Sequence, residues 1–315
     1  MDVETRTAAI VGAGLVGRAW AAVFARAGWR VRLFDSMPAQ LTEARQQIVQ
    51  TLADQERVGL VDDAPAALKR ISPCTRLSDA VADAAWVQEN LPEEVAIKQS
   101  VFAELDRLAP PEAILASSTS AIVASHFTGD LAGRARCLVA HPVNPPHLVP
   151  IVELCGAPWT SEATLASART TMESIGQVPI IVRREIDGFV LNRLQGALLS
   201  EAMRLVADGV VAPDDLDKTV RDGLGLRWSF MGPFETIELN APGGVADYCA
   251  RYSGLYRRLA ADPAPPSVWE GQSAANVAAA LEAPLTTAQR NERSAWRDRR
   301  LLALRRHKID MESQD

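Results

Sequence analysis

Short apolar runs alternating with stretches of helical period organise the first 186 residues. Ala8–Val11 is apolar throughout and leads into a helix-like stretch through Ala27. Runs of the same kind recur at Val31–Phe34, Ala85–Val87, Ala113–Ala116, Cys137–Ala140, Ile151–Leu154 and Val178–Val182. Between them a helical period covers Pro38 to about Gly59, Val95–Leu108 and Ser161–Ile175, while Leu60–Asp79 reads as a short excursion before the next strand. Unbroken apolar strands separated by helices predict a sheet covered on both faces. The expected class is therefore α/β, a doubly wound, mostly parallel Rossmann-type sheet. From Gly188 onward only the helical period persists: Phe189–Ala207, then Pro213–Gly223, opening on Pro213, Asp214 and Asp215 as helix starts do. The expected division is residues 1–186 as the α/β domain and 187–315 as an all-α domain.

The apolar helices and the segment WSFMGPF, Trp228–Phe234, offer more hydrophobic surface than one small domain needs, and a homodimer is expected. The basic C-terminal run WRDRRLLALRRHK carries Leu301, Leu302, Leu304 and, just beyond it, Ile309 on one face, which predicts a helix packed on the body of the protein.

Composition narrows the chemistry. The chain has 315 residues, 48% hydrophobic and 23% charged, with a net charge of −6. No basic footprint accompanies this balance, so a nucleic-acid partner is not expected. Cys74, Cys137, Cys155 and Cys249 are scattered and form no CxxC pair, so neither a disulfide framework nor a metal site is expected. The polar N-terminus is unlike a signal peptide, and no apolar run approaches a membrane span. These readings together predict a soluble, cytoplasmic protein.

The first strand runs into Gly12-Ala13-Gly14-Leu15-Val16-Gly17, then a helix, then a second strand ending in Asp35. Strand, glycine turn, helix, strand and acidic residue form the dinucleotide-binding fingerprint in its required context. Gly12 makes the tight turn, Gly14 admits the pyrophosphate to the backbone, and Gly17 permits close packing of helix on sheet. The helix N-terminus presents unpaired N–H groups to the phosphates. Asp35 is placed to accept from the adenosine ribose and to repel a 2′-phosphate, and Ser36-Met37-Pro38 supply no arginine to offset it; the expected cofactor is NAD.

A second constellation lies in CLVAHPVNPPHLVPIVE, Cys137–Glu153. His141 precedes a proline and is pushed into extended geometry at a strand end, and a second apolar run delivers Glu153. A carboxylate beside an imidazole fixes its tautomer and raises its basicity, as removal of a proton from an alcohol requires. On its own, a histidine before proline is more often a packed structural residue than a catalytic one. The hydroxyl run Ser117–Ser120 follows a strand end and either lines a ligand crevice or caps the next helix. Glu89, Glu93 and Glu94, leading into the helix with Lys98, serve as dipole partners in the simplest account. Asn192, on an apolar helix, either fixes the joint between domains or reaches the substrate.

With IVGAGLVG, SSTS, HPVNPP, LVPIVEL, GFVLNRLQ, DGLGLRW and GPFETIELN in this order, the chain resembles the 3-hydroxyacyl-CoA dehydrogenase superfamily over nearly its whole length, and within it the lambda-crystallin or L-gulonate 3-dehydrogenase branch. The resemblance implies that His141 is the general base and Glu153 its partner, that Ser120 and Asn192 hold the substrate's oxygen and carbonyl groups, that Asn144 supports the loop, and that Ser118 is a substrate or support residue. It also implies that Leu15 and Val16 meet the pyrophosphate through their backbone, and that Glu93 and Lys98 lie on the nicotinamide side. The expected reaction is NAD-dependent oxidation of the 3-hydroxyl of a small, L-gulonate-like 3-hydroxy acid. A 3-hydroxyacyl-CoA substrate, a carnitine-type acid and a non-enzymatic, crystallin-like role are the alternatives. CoA phosphates need cations, and the excursion sets only Lys69, Arg70 and Arg76 against Asp62, Asp63 and Asp79. The lysine mechanism of other two-domain hydroxyacid dehydrogenases lacks its key group, because no lysine falls between Lys98 and Lys218.

Overall fold

The computed structural model describes residues 6–280 and 285–312. Eight strands form one sheet in the order β3-β2-β1-β4-β5-β6-β7-β8: β1 Thr7–Val11, β2 Arg30–Phe34, β3 Ile71–Cys74, β4 Trp86–Glu89, β5 Ile114–Ser117, β6 Cys137–Pro142, β7 Ile151–Gly156 and β8 Val178–Val182. Every pairing is parallel except β6 with β7. The helices of this part are α1 Leu15–Arg26, α2 Pro38–Arg57, α3 Ala64–Lys69, α4 Leu77–Val81, α5 Val95–Leu108, α6 Ser125–Thr128 and α7 Glu162–Ser174. The doubly wound α/β class holds.

Strand alternation sorts the core into two layers. Ala8, Ile10, Leu138, Ala140, Val152 and Leu154 point to the face covered by α1, α2 and α7. Ala9, Val11, Val139 and Cys155 point to the other, under α5 with Phe102 and Leu105. His141 and Glu153 continue the alternation of Val139 and Cys155, which puts both on this second face.

One strand escaped the sequence pattern. β3 lies inside the excursion Leu60–Asp79, and its four residues ISPC include Pro73. Proline cannot donate to a ladder, and β3 tolerates it because it pairs only with β2 at the sheet edge.

The helices that follow are α8 Leu191–Ala207, α9 Pro213–Lys218, α10 Gly225–Trp228, α11 Pro233–Leu239, α12 Gly244–Ala260, α13 Gly271–Ala280 and α14 Thr287–Glu312, with a π-helical turn at Thr219–Leu224. α8 begins two residues later than the period implied, because Gly188 (φ 75°) and Phe189 (φ 48°) both have left-handed backbone. Two compact units result, Met1–Asn192 with Trp296–Asp315, and Arg193–Ala295. The grouping departs from a boundary at 186/187 chiefly at the C-terminus. The described residues of α14 from Trp296 on belong with the sheet, where Leu302 is buried and Arg306 donates to the Gly59 carbonyl (3.1 Å). The expected apolar stripe is only partly used: Leu304 and Ile309 remain exposed, and polar contacts do much of the docking.

The glycine turn also corrects one detail. A Cβ on Gly17 would sit 1.8 Å from the Gly12 carbonyl oxygen, so the turn itself, rather than the sheet, demands glycine there. A Cβ on Gly12 (φ 92°) would sit 2.9 Å from the Asn90 carbonyl oxygen, while nothing lies within 4 Å of a Cβ on Gly14. Gly17→Ala is expected to destabilise the fold by about 1–3 kcal/mol through this overlap, and Gly14→Ala by far less. Urea denaturation of the two variants side by side checks the difference.

Candidate active site

The antiparallel pairing of β6 and β7 puts His141 directly opposite Glu153. Cross-strand partners on one face lie within side-chain reach, and His141 Nδ1 stands 2.8 Å from Glu153 Oε2. With Nδ1–H donating to the carboxylate, Nε2 carries the free lone pair in the neutral ring. His141 is 6% exposed and Glu153 is fully buried.

A buried carboxylate needs compensation. The other oxygen of Glu153 accepts from Val190 N (2.8 Å) and Leu191 N (3.0 Å), the first amides of α8. The left-handed pair Gly188–Phe189 turns these two N–H groups onto one oxygen, and the positive end of α8 adds to the effect. Burial by itself raises the Glu153 pKa, but the bonds from His141, Leu191 and Val190 outweigh it and hold the carboxyl below its usual range. Phe189, fully buried at its unusual φ, sets its ring 5.5 Å from the imidazole. Sequence reasoning passed over Phe189; the Gly-Phe pair before a helix was its one signal.

The hydroxyl run and the acidic loop prove to be one construction. Glu93 Oε1 accepts the Thr119 hydroxyl and the backbone N–H groups of Ser120 (3.0 Å), Ala121 (2.9 Å) and Ile122 (3.3 Å). Although burial opposes it, these bonds and the nearby Lys98 lower the Glu93 pKa. Glu93 thus fixes the Ser120 backbone, and Asn192 Nδ2 adds a bond to the Ser120 carbonyl (3.0 Å), leaving the Ser120 side chain exposed.

Lys98 is 1% exposed, paired with the buried Glu89 at 3.0 Å and 4.0 Å from Glu93. Ser118 is a hub rather than a free hydroxyl. It accepts from Trp20 Nε1 (3.1 Å) and Gln88 Nε2 (2.7 Å) and donates to Asn90 Oδ1 (2.7 Å), and Gln88 also bonds the Ala140 carbonyl next to His141. Asn144 is exposed in the β6–β7 loop.

At the ends of β1 and β2 a cleft of about 620 Å³ is lined by Val11, Phe34, Ser36, Arg76, Leu91 and Ile97, among others. Asp35, beside it, accepts from Ala13 N (2.8 Å) and Met37 N (2.9 Å), one donor per oxygen, so acceptor capacity is left over. The open approach to Gly14, the start of α1 at Leu15 and Val16, and this cleft together fit a dinucleotide. Arg76 in its wall was not foreseen from the local motif. Among the described residues no group of three or more His, Cys, Asp or Glu side chains is placed to hold a metal ion, and no helix is long and apolar enough to cross a membrane.

A Rossmann sheet with a histidine–glutamate pair at a strand end, followed by a helical unit, defines a class of NAD-dependent two-domain dehydrogenases. Residues 7–186 match the model of the 3-hydroxyacyl-CoA dehydrogenase NAD-binding domain and residues 188–273 that of its C-terminal domain. The chain belongs to the 3-hydroxyacyl-CoA dehydrogenase family, and its cofactor is NAD. It is 44% identical to a lambda-crystallin homolog of Bos taurus over 301 residues, 94% of each chain. It is 37% identical to an L-carnitine dehydrogenase/betainyl-CoA thioesterase of Rhizobium sp over 248 residues, covering 78% of this chain and 49% of that protein. Among solved structures, 5-formyl-3-hydroxy-2-methylpyridine 4-carboxylic acid 5-dehydrogenase, described as an NAD+-dependent dismutase, superposes with a TM-score of 0.82 at 32% identity, over 96% of this chain and 98% of that one.

The lowered pKa of Glu153 has a consequence for stability. A carboxyl whose folded pKa lies below its unfolded value contributes stability that is complete above the unfolded value, about 4.3, and is lost as pH falls through the lower folded one. Glu153→Gln removes that contribution. The gap in unfolding free energy between wild type and variant is therefore expected to be widest near pH 6 and to shrink towards pH 3, as urea denaturation across that range would show.

Proposed function

We propose that this protein oxidises the 3-hydroxyl of a small free 3-hydroxy acid of the L-gulonate type to the 3-oxo acid. The observation that carries the proposal is the 2.8 Å bond between His141 Nδ1 and Glu153, which leaves Nε2 to act as a base. NAD, when bound, supplies the acceptor for the hydride leaving C3. His141 takes the hydroxyl proton at Nε2, and Glu153 stabilises the imidazolium that forms. Ser120, its backbone tied by Glu93 and Asn192, offers a hydroxyl to the substrate oxygen. Asp35 holds the adenosine ribose, Gly12, Gly14 and Gly17 with the Leu15 and Val16 amides receive the pyrophosphate, and Glu93 with Lys98 shapes the nicotinamide side through the loop it holds.

The charge around the excursion supports a free acid over a CoA thioester. Lys69, Arg70 and Arg76 are balanced in number by Asp62, Asp63 and Asp79, which leaves that segment no net positive charge to offer CoA phosphates. The carnitine-type reading draws its support from the Rhizobium relative, and the CoA reading from the family. The intact dyad argues against a purely structural, crystallin-like role. With NAD and L-gulonate, L-carnitine, 3-hydroxybutyrate or 3-hydroxybutyryl-CoA assayed in parallel, L-gulonate is expected to give the highest kcat/KM; turnover confined to the CoA ester would overturn the choice. His141→Ala should lower kcat by at least about a hundredfold while the NAD Kd, from fluorescence titration, stays within a factor of two or so of wild type.

The exposed apolar residues of the helical unit support a homodimer, and the scattered cysteines without a CxxC pair support a reducing, cytoplasmic setting. α8, α9, α12 and α13 bury none of their residues, and Phe230 and Phe234 are 70% and 76% exposed. Amphipathic helices without a core of their own need a partner surface, and a second copy provides a self-complementary one. Light scattering is expected to give twice the 34.0 kDa of the chain at micromolar concentration; a monomer would refute the pairing.

A further inference from the structure

The loop between His141 and Glu153, Val143–Pro150, is held at its middle by two arginines distant in sequence. Arg26 Nη1, from the last turn of α1, and Arg305 Nη1, from α14, both donate to the His147 carbonyl at 3.0 Å. Arg305 Nη2 also donates to the Gly176 carbonyl at 3.2 Å, in the turn that enters β8. Arg26 is braced by Gln55 Oε1 of α2 at 2.8 Å. The two segments that Arg305 ties are the connections before β7 and before β8, and they meet again where Val178 N donates to the Pro150 carbonyl (2.8 Å). β7 is the strand that carries Glu153, paired with β8 through Glu153 and Ile180.

The backbone carbonyl, not the histidine side chain, is the anchor. His147 Nδ1 is buried with no hydrogen-bond partner. Burial, with Arg26 and Arg305 next, pushes the His147 pKa down to about 3, so the ring stays neutral beside two cations at ordinary pH. Burial followed by Arg305 lowers Arg26 to about 9. Neither guanidinium is paired with a carboxylate among the described residues; their partners are two backbone carbonyl oxygens and the Gln55 side-chain amide oxygen. Carbonyls fix the position of a planar guanidinium fork without neutralising it, so the cluster holds the loop more than it balances charge.

We infer that Arg305, with Arg26, is a positioning residue of the active site: the C-terminal helix clamps the β6–β7 loop and the β8 entry, and so sets Glu153 opposite His141. This rests on the reading of His141 and Glu153 as the catalytic dyad. A misplacement of about 1 Å in such a pair costs up to a hundredfold in rate, and loss of one of two arginines is expected to cost about tenfold.

The test uses the full chain with NAD and L-gulonate. Arg305→Met should lower kcat about tenfold with the KM for NAD unchanged, and Arg305→Lys should recover part of it by reaching one carbonyl. Arg26→Met should act in the same direction, whereas His147→Leu, which keeps the anchoring carbonyl, should leave kcat within about twofold. Amide exchange followed by mass spectrometry should quicken over Val143–Pro150 and at Val178 in Arg305→Met, with β1 unchanged. Faster local exchange with unaltered kcat would overturn the positioning role, as would faster exchange across the whole sheet, which marks general loosening. If His141→Ala keeps its activity, the dyad reading fails instead, while the exchange pattern still reports on the clamp.

Discussion

Glu153 is a fully buried carboxylate, and the architecture around it exists in large part to make that tolerable. An isolated ion of this size costs several kcal/mol to desolvate even after relaxation. Here the charge is divided between an imidazole opposite it in the sheet and two amides at the start of α8. The only antiparallel pairing in the described sheet supplies the first partner, and the left-handed Gly188–Phe189 turn supplies the second. The same carboxylate therefore joins the end of the sheet to the beginning of the next helix. The proposed acid–base pair and the local fold draw on one set of hydrogen bonds.

A parallel economy operates on the neighbouring loop. Glu93 gathers the amides of Ser120, Ala121 and Ile122, while Lys98, Glu89 and Ser117 form a buried polar floor beneath. Ser118 connects this floor to the glycine turn through Asn90 and to the strand of His141 through Gln88. The end of β1, the hydroxyl loop and the strand of His141 thus share one hydrogen-bonded network. Such a network rigidifies a site, because breaking one member strands a buried polar group at about 1–3 kcal/mol.

The doubly wound sheet was legible in the sequence because strands covered on both faces must be apolar throughout and because a glycine turn tolerates little variation. The NAD fingerprint was legible for the same reason. His141 and Glu153 could be nominated from strand-end positions, and their motifs pointed to the family. β3 was not legible, since an edge strand of four residues with a proline carries almost no periodic signal. Nor were the Trp20 and Gln88 partners of Ser118, which come from α1 and β4, nor the joining of the residues from Trp296 to the sheet-bearing unit.

The amino-acid order by itself determined the class of fold and the dinucleotide turn, and it placed His141 and Glu153 at strand positions, because each depends on short-range patterns of apolarity, glycine and proline. Tertiary structure alone decided that the pair meets across an antiparallel register, that two backbone amides share the burden of the carboxylate, and that arginines from α1 and α14 converge on one carbonyl. Those outcomes depend on distances between segments far apart in the chain, and periodicity carries no record of them.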